Sequence, residues 1–289
     1  MKITCLVLLC AALLLSLAAC AKDLTQHDPP QPPVISDAPD TMTQEITAMS
    51  FNIYYGGMAK RQAAVVQCVL DTMPDSIGFQ EAHARWRRLL KRELKGAGYA
   101  MACDKGRHAG LGEGVPILYR SDKYDLVEEG VFWLSERPET PSGGWDAQIW
   151  RITGYAVLKD KETGFTYAHF NTHFDHKGPA ARINSARLTA DRINGMNLPT
   201  VFTGDINAPP DSVPAQYLAA GGLLDLRAAA GDADTGSTRP GGSGVIDYVF
   251  ANHYLREPET ARFWVIRDEY DGMIPSDHYA VAARLTLAN

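Results

Sequence analysis

The sequence predicts a mixed α/β layered fold in a single folded domain. Three observations carry this expectation. Strand-like segments outnumber helical ones, neighbouring strands often join by short turns, and no internal linker or fixed-period repeat interrupts residues 46–289. A parallel barrel fits less well, because it needs a helix after every strand. With 289 residues, 45% of them hydrophobic and 21% charged, there is ample material for a sizeable core.

The N-terminal segment is expected to lie outside that core. Lys2 precedes an apolar run from Cys5 to Leu17 that is short for a membrane span and ends in small residues, the form of a secretory signal over residues 1–19. Leu17-Ala18-Ala19-Cys20 resembles a bacterial lipobox. By that resemblance Cys20 is acylated and tethers the chain to a membrane, with Ala21 resembling the signal for the periplasmic face of an outer membrane. Residues 20–45 contain Pro29, Pro30, Pro32, Pro33 and Pro39 among Asp, Thr and Gln, and read as an extended tether before a domain over 46–289. Of the five cysteines, Cys68 and Cys103 then remain to the fold, able to pair only if their Cα atoms come close.

Within the domain, 46–53 reads as a strand, 59–71 as a helix, and 76–79 as a second short strand. A helix over 82–95 places Trp86, Leu89, Leu90 and Leu94 on one face at three- and four-residue intervals. Arg85, Arg88, Lys91, Arg92 and Lys95 fall on the other, a face that reads as solvated surface. Strands follow at 115–120, 124–131, 152–159, 165–172, 200–203, 245–250, 263–267 and 278–287. A helix over 180–194 comes between them, with Pro179 suited to its first turn. The formal charge of −6 gives no general pull toward nucleic acid or anionic membrane, although a local basic groove is compatible with it.

Strand after strand ends in carboxylate, carboxamide or imidazole: Asn52, Glu81, His173, Asp205 with Asn207, Asp247, and Asp277 with His278. Taken singly, each has a local explanation as a turn or cap. Gathered in one cleft, several charges need a cation or an ionic substrate to balance them. Oxygen ligands without thiolates suit Mg²⁺, Mn²⁺ or Ca²⁺ better than Zn²⁺. Asp175 and His176 beside His173 make a poor zinc cluster, since one short strand turns alternate side chains to opposite faces. A hard cation among histidines and carboxylates suits phosphoryl chemistry.

The segments Met49-Ser50-Phe51-Asn52-Ile53, Gly78-Phe79-Gln80-Glu81, Asn171-Thr172-His173-Phe174-Asp175-His176, Gly204-Asp205-Ile206-Asn207, Ile246-Asp247-Tyr248 and Ser276-Asp277-His278 carry a resemblance. In order and approximate spacing, they resemble the endonuclease/exonuclease/phosphatase superfamily over 46–287. The resemblance implies an α/β (α+β) four-layer sandwich: two mixed sheets face to face, helices on both outer sides, and the site at one edge. It implies Glu81 and Asn52 as metal ligands with Asp277 assisting, and Asp205 and Asn207 orienting the attacking water. His278 is implied to be held by Asp247. His173 resembles a second catalytic histidine with Glu113 as its carboxylate partner, each couple raising the pKa of its imidazole.

Arg151 matches a phosphate-contacting arginine, or is a surface arginine at a strand start. Trp133 and Trp145 read as core or cleft wall. Residues 237–244, rich in Gly and Ser with Arg239 the one charge, depart from relatives that are basic or aromatic there.

These residues together predict a monomeric, Mg²⁺-dependent phosphoric ester hydrolase of the phosphodiesterase type. Its substrate would be nucleic acid, a phospholipid head group or a small phosphate ester. The alternatives are a phosphomonoesterase on sugar or inositol phosphates, and an exported binding protein without catalysis.

Overall fold

The computed structural model describes residues 41–108, 111–242 and 244–289. The signal, Cys20 and most of the tether lie outside the described residues.

The chain opens with β1 (Thr43–Asn52), α1 (Met58–Thr72), β2 (Ser76–Gln80) and α2 (Ala84–Leu94). There follow β3 (Tyr99–Ala102), β4 (Gly106–His108), β5 (Leu111–Gly114), β6 (Ile117–Arg120), β7 (Tyr124–Trp133), β8 (Ile152–Asp160) and β9 (Thr166–His173). The remainder is α3 (Pro179–Met196), β10 (Thr200–Asp205), α4 (Val213–Ala220), β11 (Leu224–Asp225), α5 (Leu226–Ala229), β12 (Asp232–Ala233), β13 (Asp247–Ala251), β14 (Leu255–Arg256), β15 (Arg262–Ile266) and β16 (Ala280–Ala288). The first sheet runs β12-β15-β16-β1-β2-β6-β3, with β14 on β16, and the second runs β11-β13-β10-β9-β8-β7. Strands β4 and β5 form a separate hairpin.

Side-chain alternation explains the layering. Along β1, Ile46 and Ala48 join the cluster between the sheets, which also takes Leu158, Val201 and Leu285. The intervening Met49, Phe51 and Ile53 pack on α1 and α2, against Val65, Val69, Trp86 and Leu90. In the second sheet, Phe170, Phe202 and Phe250 turn outward onto Ala186, Ile193 and Leu218 of α3 and α4. Two mixed sheets face each other with helices outside, the four-layer sandwich expected. Each large apolar side chain so buried contributes about 1.5–3 kcal/mol.

Polar character grows along the inter-sheet seam. Past the apolar end, His169 bridges the sheets, with Nδ1 2.8 Å from Ser76 Oγ and Nε2 2.8 Å from Thr203 Oγ1. Gly78 allows this closeness, since a Cβ there would lie 2.1 Å from Thr203 Oγ1 and 2.4 Å from the Asn171 carboxamide. Next, Gln80 donates to Asn171 Oδ1 at 2.7 Å and to Ser50 Oγ at 3.2 Å. The same alternation carries Asn52, His173, Asp205 and Asp247 into the seam at its far end.

Several boundaries differ from expectation for local reasons. The first strand begins at Thr43, extended by pairing with β16 as far as Ala288. Helix α2 starts at Ala84, because Glu81 is left-handed (φ 60°) and His83 is the cap, its Nδ1 accepting from the Arg85 and Trp86 amides. Strands β3, β4, β5, β11, β12 and β14, and helices α4 and α5, were not anticipated; most are two to four residues long, too short to show periodicity. Cys68 and Cys103 are both buried and free, and burial pushes each thiol up to about 12.

Candidate active site

Strand pairing gathers the predicted residues at one edge. The neighbours β1 and β2 are parallel, as are β9 and β10, so Asn52, Glu81, His173 and Asp205 all stand at carboxyl-terminal strand ends. The antiparallel neighbours β13 and β16 begin at that same edge, which places Asp247 directly opposite Asp205 and brings His278 beside them. Two of the end positions are strained: Glu81 and Asn207 hold left-handed φ of 60° and 49°, a conformation non-glycine residues rarely adopt.

Asp205 is the hub. Its Oδ2 accepts from Asn52 Nδ2 at 3.0 Å, and its Oδ1 accepts from the Asn207 amide at 2.9 Å. Burial, then the charge of Asp247, pushes its carboxyl up to about 6, against the opposing effects of His278, Asn207 and Asn52. His278 Nδ1 lies 3.0 Å from both Asp247 oxygens and 3.9 Å from Asp205 Oδ2. Burial disfavours its charge, but Asp247, Asp205 and Asp277 together outweigh burial and raise the imidazole to about 10. With Nδ1 engaged, Nε2 is the nitrogen left for substrate. Asp247 is fixed in turn by Thr238, whose hydroxyl donates to Oδ2 at 2.6 Å.

The second histidine behaves differently. His173 Nε2 approaches Asp205 Oδ2 at 3.5 Å, too long for a strong hydrogen bond. Burial, reinforced by Arg151, His278 and Arg107, lowers its pKa well below 6.5. Glu113 bonds the guanidinium of Arg107, and the lowered pKa of His173 favours its neutral imidazole, where the sequence resemblance implies a Glu113 couple that raises it. Arg151 is no surface residue, being 7% exposed, and its buried Nε has no hydrogen-bond partner. Burial lowers its pKa, with Asp205 and Glu113 opposing. Arg151, Glu113, His173 and Glu81 line one narrow, open cleft together with Arg107 and Trp150.

Two oxygen-bearing groups compete as a cation site. Donor atoms of Asp205, Asp247 and His278 lie within 4.8 Å of one another. His278 Nδ1, however, is engaged by both Asp247 oxygens at 3.0 Å, which makes it a poorer ligand than a free imidazole. Glu81 fits better. It is half-buried beside Asn52, accepting from Asn52 Nδ2 at 3.2 Å and from the Tyr55 amide at 2.9 Å, which leaves lone pairs on both oxygens. Asn52 Oδ1 takes the Tyr54 amide at 3.0 Å and has a second lone pair. Asp277 is exposed, yet its charge reaches both Arg61 and His278. An all-oxygen set of this kind suits a hard cation.

Neighbouring predicted residues have structural work. Asp175 is buried and accepts from the Ile149, Lys177 and Gly178 amides at 3.0, 2.9 and 2.7 Å, while His176 is exposed. Trp145 and Trp133 are half-buried, and Trp133 Nε1 donates to the Arg107 carbonyl at 2.7 Å. Sequence reasoning missed Arg61, Thr238 and Arg107. Arg61 donates to the Ile53, Tyr54 and Pro275 carbonyls at 2.8, 2.8 and 2.6 Å, tying the turn after Asn52 to the loop before His278. Nothing in local spacing marks these three, because Arg107 and Thr238 act within irregular loop and hairpin segments and Arg61 reaches across to Pro275.

The family model described as Endonuclease/Exonuclease/phosphatase family matches residues 49–278. No curated protein matches significantly. Among solved structures, an endonuclease/exonuclease/phosphatase family protein from Bacteroides thetaiotaomicron is 30% identical, with a TM-score of 0.75 over 85% of this chain and 99% of its own. A protein of that description from Bacteroides vulgatus is 28% identical, with a TM-score of 0.75 over 84% of this chain and 99% of its own. The mannosyl-6-phosphatase of Bacteroides thetaiotaomicron is 30% identical, with a TM-score of 0.70 over 83% of this chain and 99% of its own. The chain described here thus belongs to the endonuclease/exonuclease/phosphatase family.

Proposed function

We propose that this chain hydrolyses phosphate esters by attack of an activated water, and that its substrate is the phosphomonoester of a small sugar-like molecule. One observation carries the hydrolytic reading: the hydrogen-bonded line Glu81, Asn52, Asp205, flanked by the charged His278–Asp247 couple. Mg²⁺ or Mn²⁺ held by Glu81 and Asn52, with Asp277 nearby, would neutralise phosphoryl oxygens. Asp205, raised toward neutrality and oriented by Asn52 and Asn207, accepts the proton of the attacking water. His278, protonated at neutral pH, binds a phosphoryl oxygen or protonates the departing one through Nε2. Arg151, lining the cleft, sets its positive charge beside the charge that develops during transfer.

Two observations support the monoester over the diester expected from sequence. The cleft is narrow and its lining residues crowd one phosphoryl-sized space, and Trp150, 37% exposed, stands at its edge as an aromatic side chain within reach of a sugar. The 30% identity to a mannosyl-6-phosphatase points the same way. The diester reading keeps one supporting feature: a groove beside the site lined by Tyr55, Lys60, His83 and Arg85, able to seat a second, anionic ester arm.

Purified protein with Mg²⁺ or Mn²⁺ should release phosphate from p-nitrophenyl phosphate and sugar 6-phosphates faster than it cleaves bis-p-nitrophenyl phosphate, sphingomyelin or plasmid DNA. Chelation should abolish that activity. Inactivity on every ester would remove the hydrolase reading, and a preference for diesters would remove the monoester one.

We also propose export and membrane anchoring through an acylated Cys20, the chain acting as a monomer. Among the described residues no helix is long and apolar enough to cross a membrane. Replacing Cys20 by Ala should move the protein from the membrane to the soluble fraction; unchanged fractionation would count against the anchor.

A further inference from the structure

The cleft lined by Arg151 and His173 holds a second cationic group that the hydrolytic roles above do not use. Arg107 stands on β4, half-buried, and lines the same cleft as Arg151 and His173. Its guanidinium bonds Glu113, yet its Nε is buried without a partner, as is that of Arg151. A buried donor left unpaired is costly, and more so on a charged group. Both arginine side chains line one cleft, the placement an anion would complete.

The hairpin carrying Arg107 is fastened rather than merely adjacent. The Gly114 amide donates to the Ala82 carbonyl at 3.0 Å, directly after Glu81. Arg87, 4% exposed, donates to the Ala82 carbonyl at 2.7 Å, to Gly112 at 3.2 Å, and to Asp104 at 2.8 Å. From the other side, Trp133 Nε1 holds the Arg107 carbonyl. A side chain at Gly114 would place its Cβ 2.4 Å from the Lys105 carbonyl, so the two hairpin strands meet closely here.

We propose that Arg107 is a specificity-determining residue: with Arg151 it forms a two-guanidinium clamp that selects a terminal, dianionic phosphate over a singly charged diester. The proposal rests on the phosphomonoester reading above. Its physical basis is charge matching. A monoester carries about −1.5 to −2 at neutral pH, its second ionisation lying near 6. A diester carries one charge and has esterified the oxygen a second guanidinium would bind. Glu113 and Glu81 line the same cleft as Arg107 and Arg151, so both arginines are needed to balance them, and losing one leaves a net negative wall that repels a dianion. Charge-assisted bonds from a fixed fork favour phosphate oxygens strongly.

Arg107→Met keeps the apolar stem and removes the charge; Arg107→Lys keeps the charge without the fork. Both are compared with the unaltered protein after thermal unfolding shows that they fold. In Arg107→Met, the Kd of inorganic phosphate, followed by tryptophan fluorescence in the absence of turnover, should rise roughly 10- to 100-fold. The KM for p-nitrophenyl phosphate should rise by a similar factor with kcat little altered, while kcat/KM for bis-p-nitrophenyl phosphate stays within about threefold. Arg107→Lys should recover part of the loss. Unchanged phosphate affinity, or equal losses on both esters, would overturn the clamp. Should the unaltered protein cleave diesters alone, the monoester reading falls with it, and the phosphate Kd still decides whether Arg107 binds a dianion.

Discussion

His173 and His278 reach the same aspartate from opposite sheets, and their environments give them opposite charge. Both are about equally buried, at 6% exposure. His278 has Asp247 at 3.0 Å and two further carboxylates in range, so its imidazole holds a proton up to about pH 10. His173 meets only the 3.5 Å edge of Asp205 while two arginines press on it, and it stays neutral. The comparison teaches that burial alone does not assign a catalytic histidine its role. What decides is whether a carboxylate is hydrogen-bonded to it.

The largest expected effect comes from the shared aspartate and the charged histidine. Asp205→Ala or His278→Ala should lower kcat by roughly 10³- to 10⁴-fold without unfolding the protein, measured on the best phosphate ester; near-normal turnover in either would break the assignment. Asp247→Asn removes the main support for the His278 proton. Turnover should fall by about 10²-fold, and the alkaline limb of the pH profile should move down from near 10. If that limb stays in place, Asp247 is not what charges His278.

Arg151→Met should reduce kcat/KM by roughly 10- to 100-fold, as expected for one charge-assisted contact to phosphate. A smaller loss than that of Asp247→Asn would fit a contact to charge rather than a part in proton transfer. The subtlest test is spectroscopic. The His173 ring resonances should not titrate between pH 5 and 8 in the ligand-free protein, whereas an inflection in that range would show that burial does not hold His173 neutral.

Stability should carry the same contrast. His169, sealed between Ser76 and Thr203, is held neutral by burial, its pKa lowered to about 3. Above pH 6.5 neither the folded nor the unfolded chain protonates it. Below 6.5 the unfolded chain takes up a proton that the folded one refuses, so stability falls as pH drops toward 3, by about 1.4 kcal/mol per unit from this residue. His278 has the opposite sign: its contribution is full below 6.5 and is lost as pH rises through about 10. Urea unfolding at pH 5.0 and 7.5 should show a smaller difference in His169→Gln than in the unaltered protein. An unchanged difference would mean that His169 is hydrated or charged in the fold.

How much of this was legible follows from how each residue acts. Trp86, Leu89, Leu90 and Leu94 were readable because a helix repeats its buried face every three or four residues, and all four are buried. Asn52, Asp205 and Asp247 were readable as a set because each sits at the edge of an apolar strand, where a polar residue needs a reason. The Arg107–Glu113 bond was not, since it lies in a hairpin of three- and four-residue strands with no periodic signal. Nor was Thr238, whose service to Asp247 is hidden in a Gly- and Ser-rich loop.

By itself, then, the sequence determined the layers and the identity of the residues that end them, because alternation along a strand is a local property and the motifs carry their chemistry in residue type. The tertiary structure alone decided the partners: that His278 is charged and His173 neutral, that Glu113 belongs to Arg107, and that Arg151 is buried with a donor unmatched. Those outcomes depend on distances between strands far apart in the chain, and at these burials a shift from 3.0 to 3.5 Å separates a hydrogen-bonded couple from a mere neighbour.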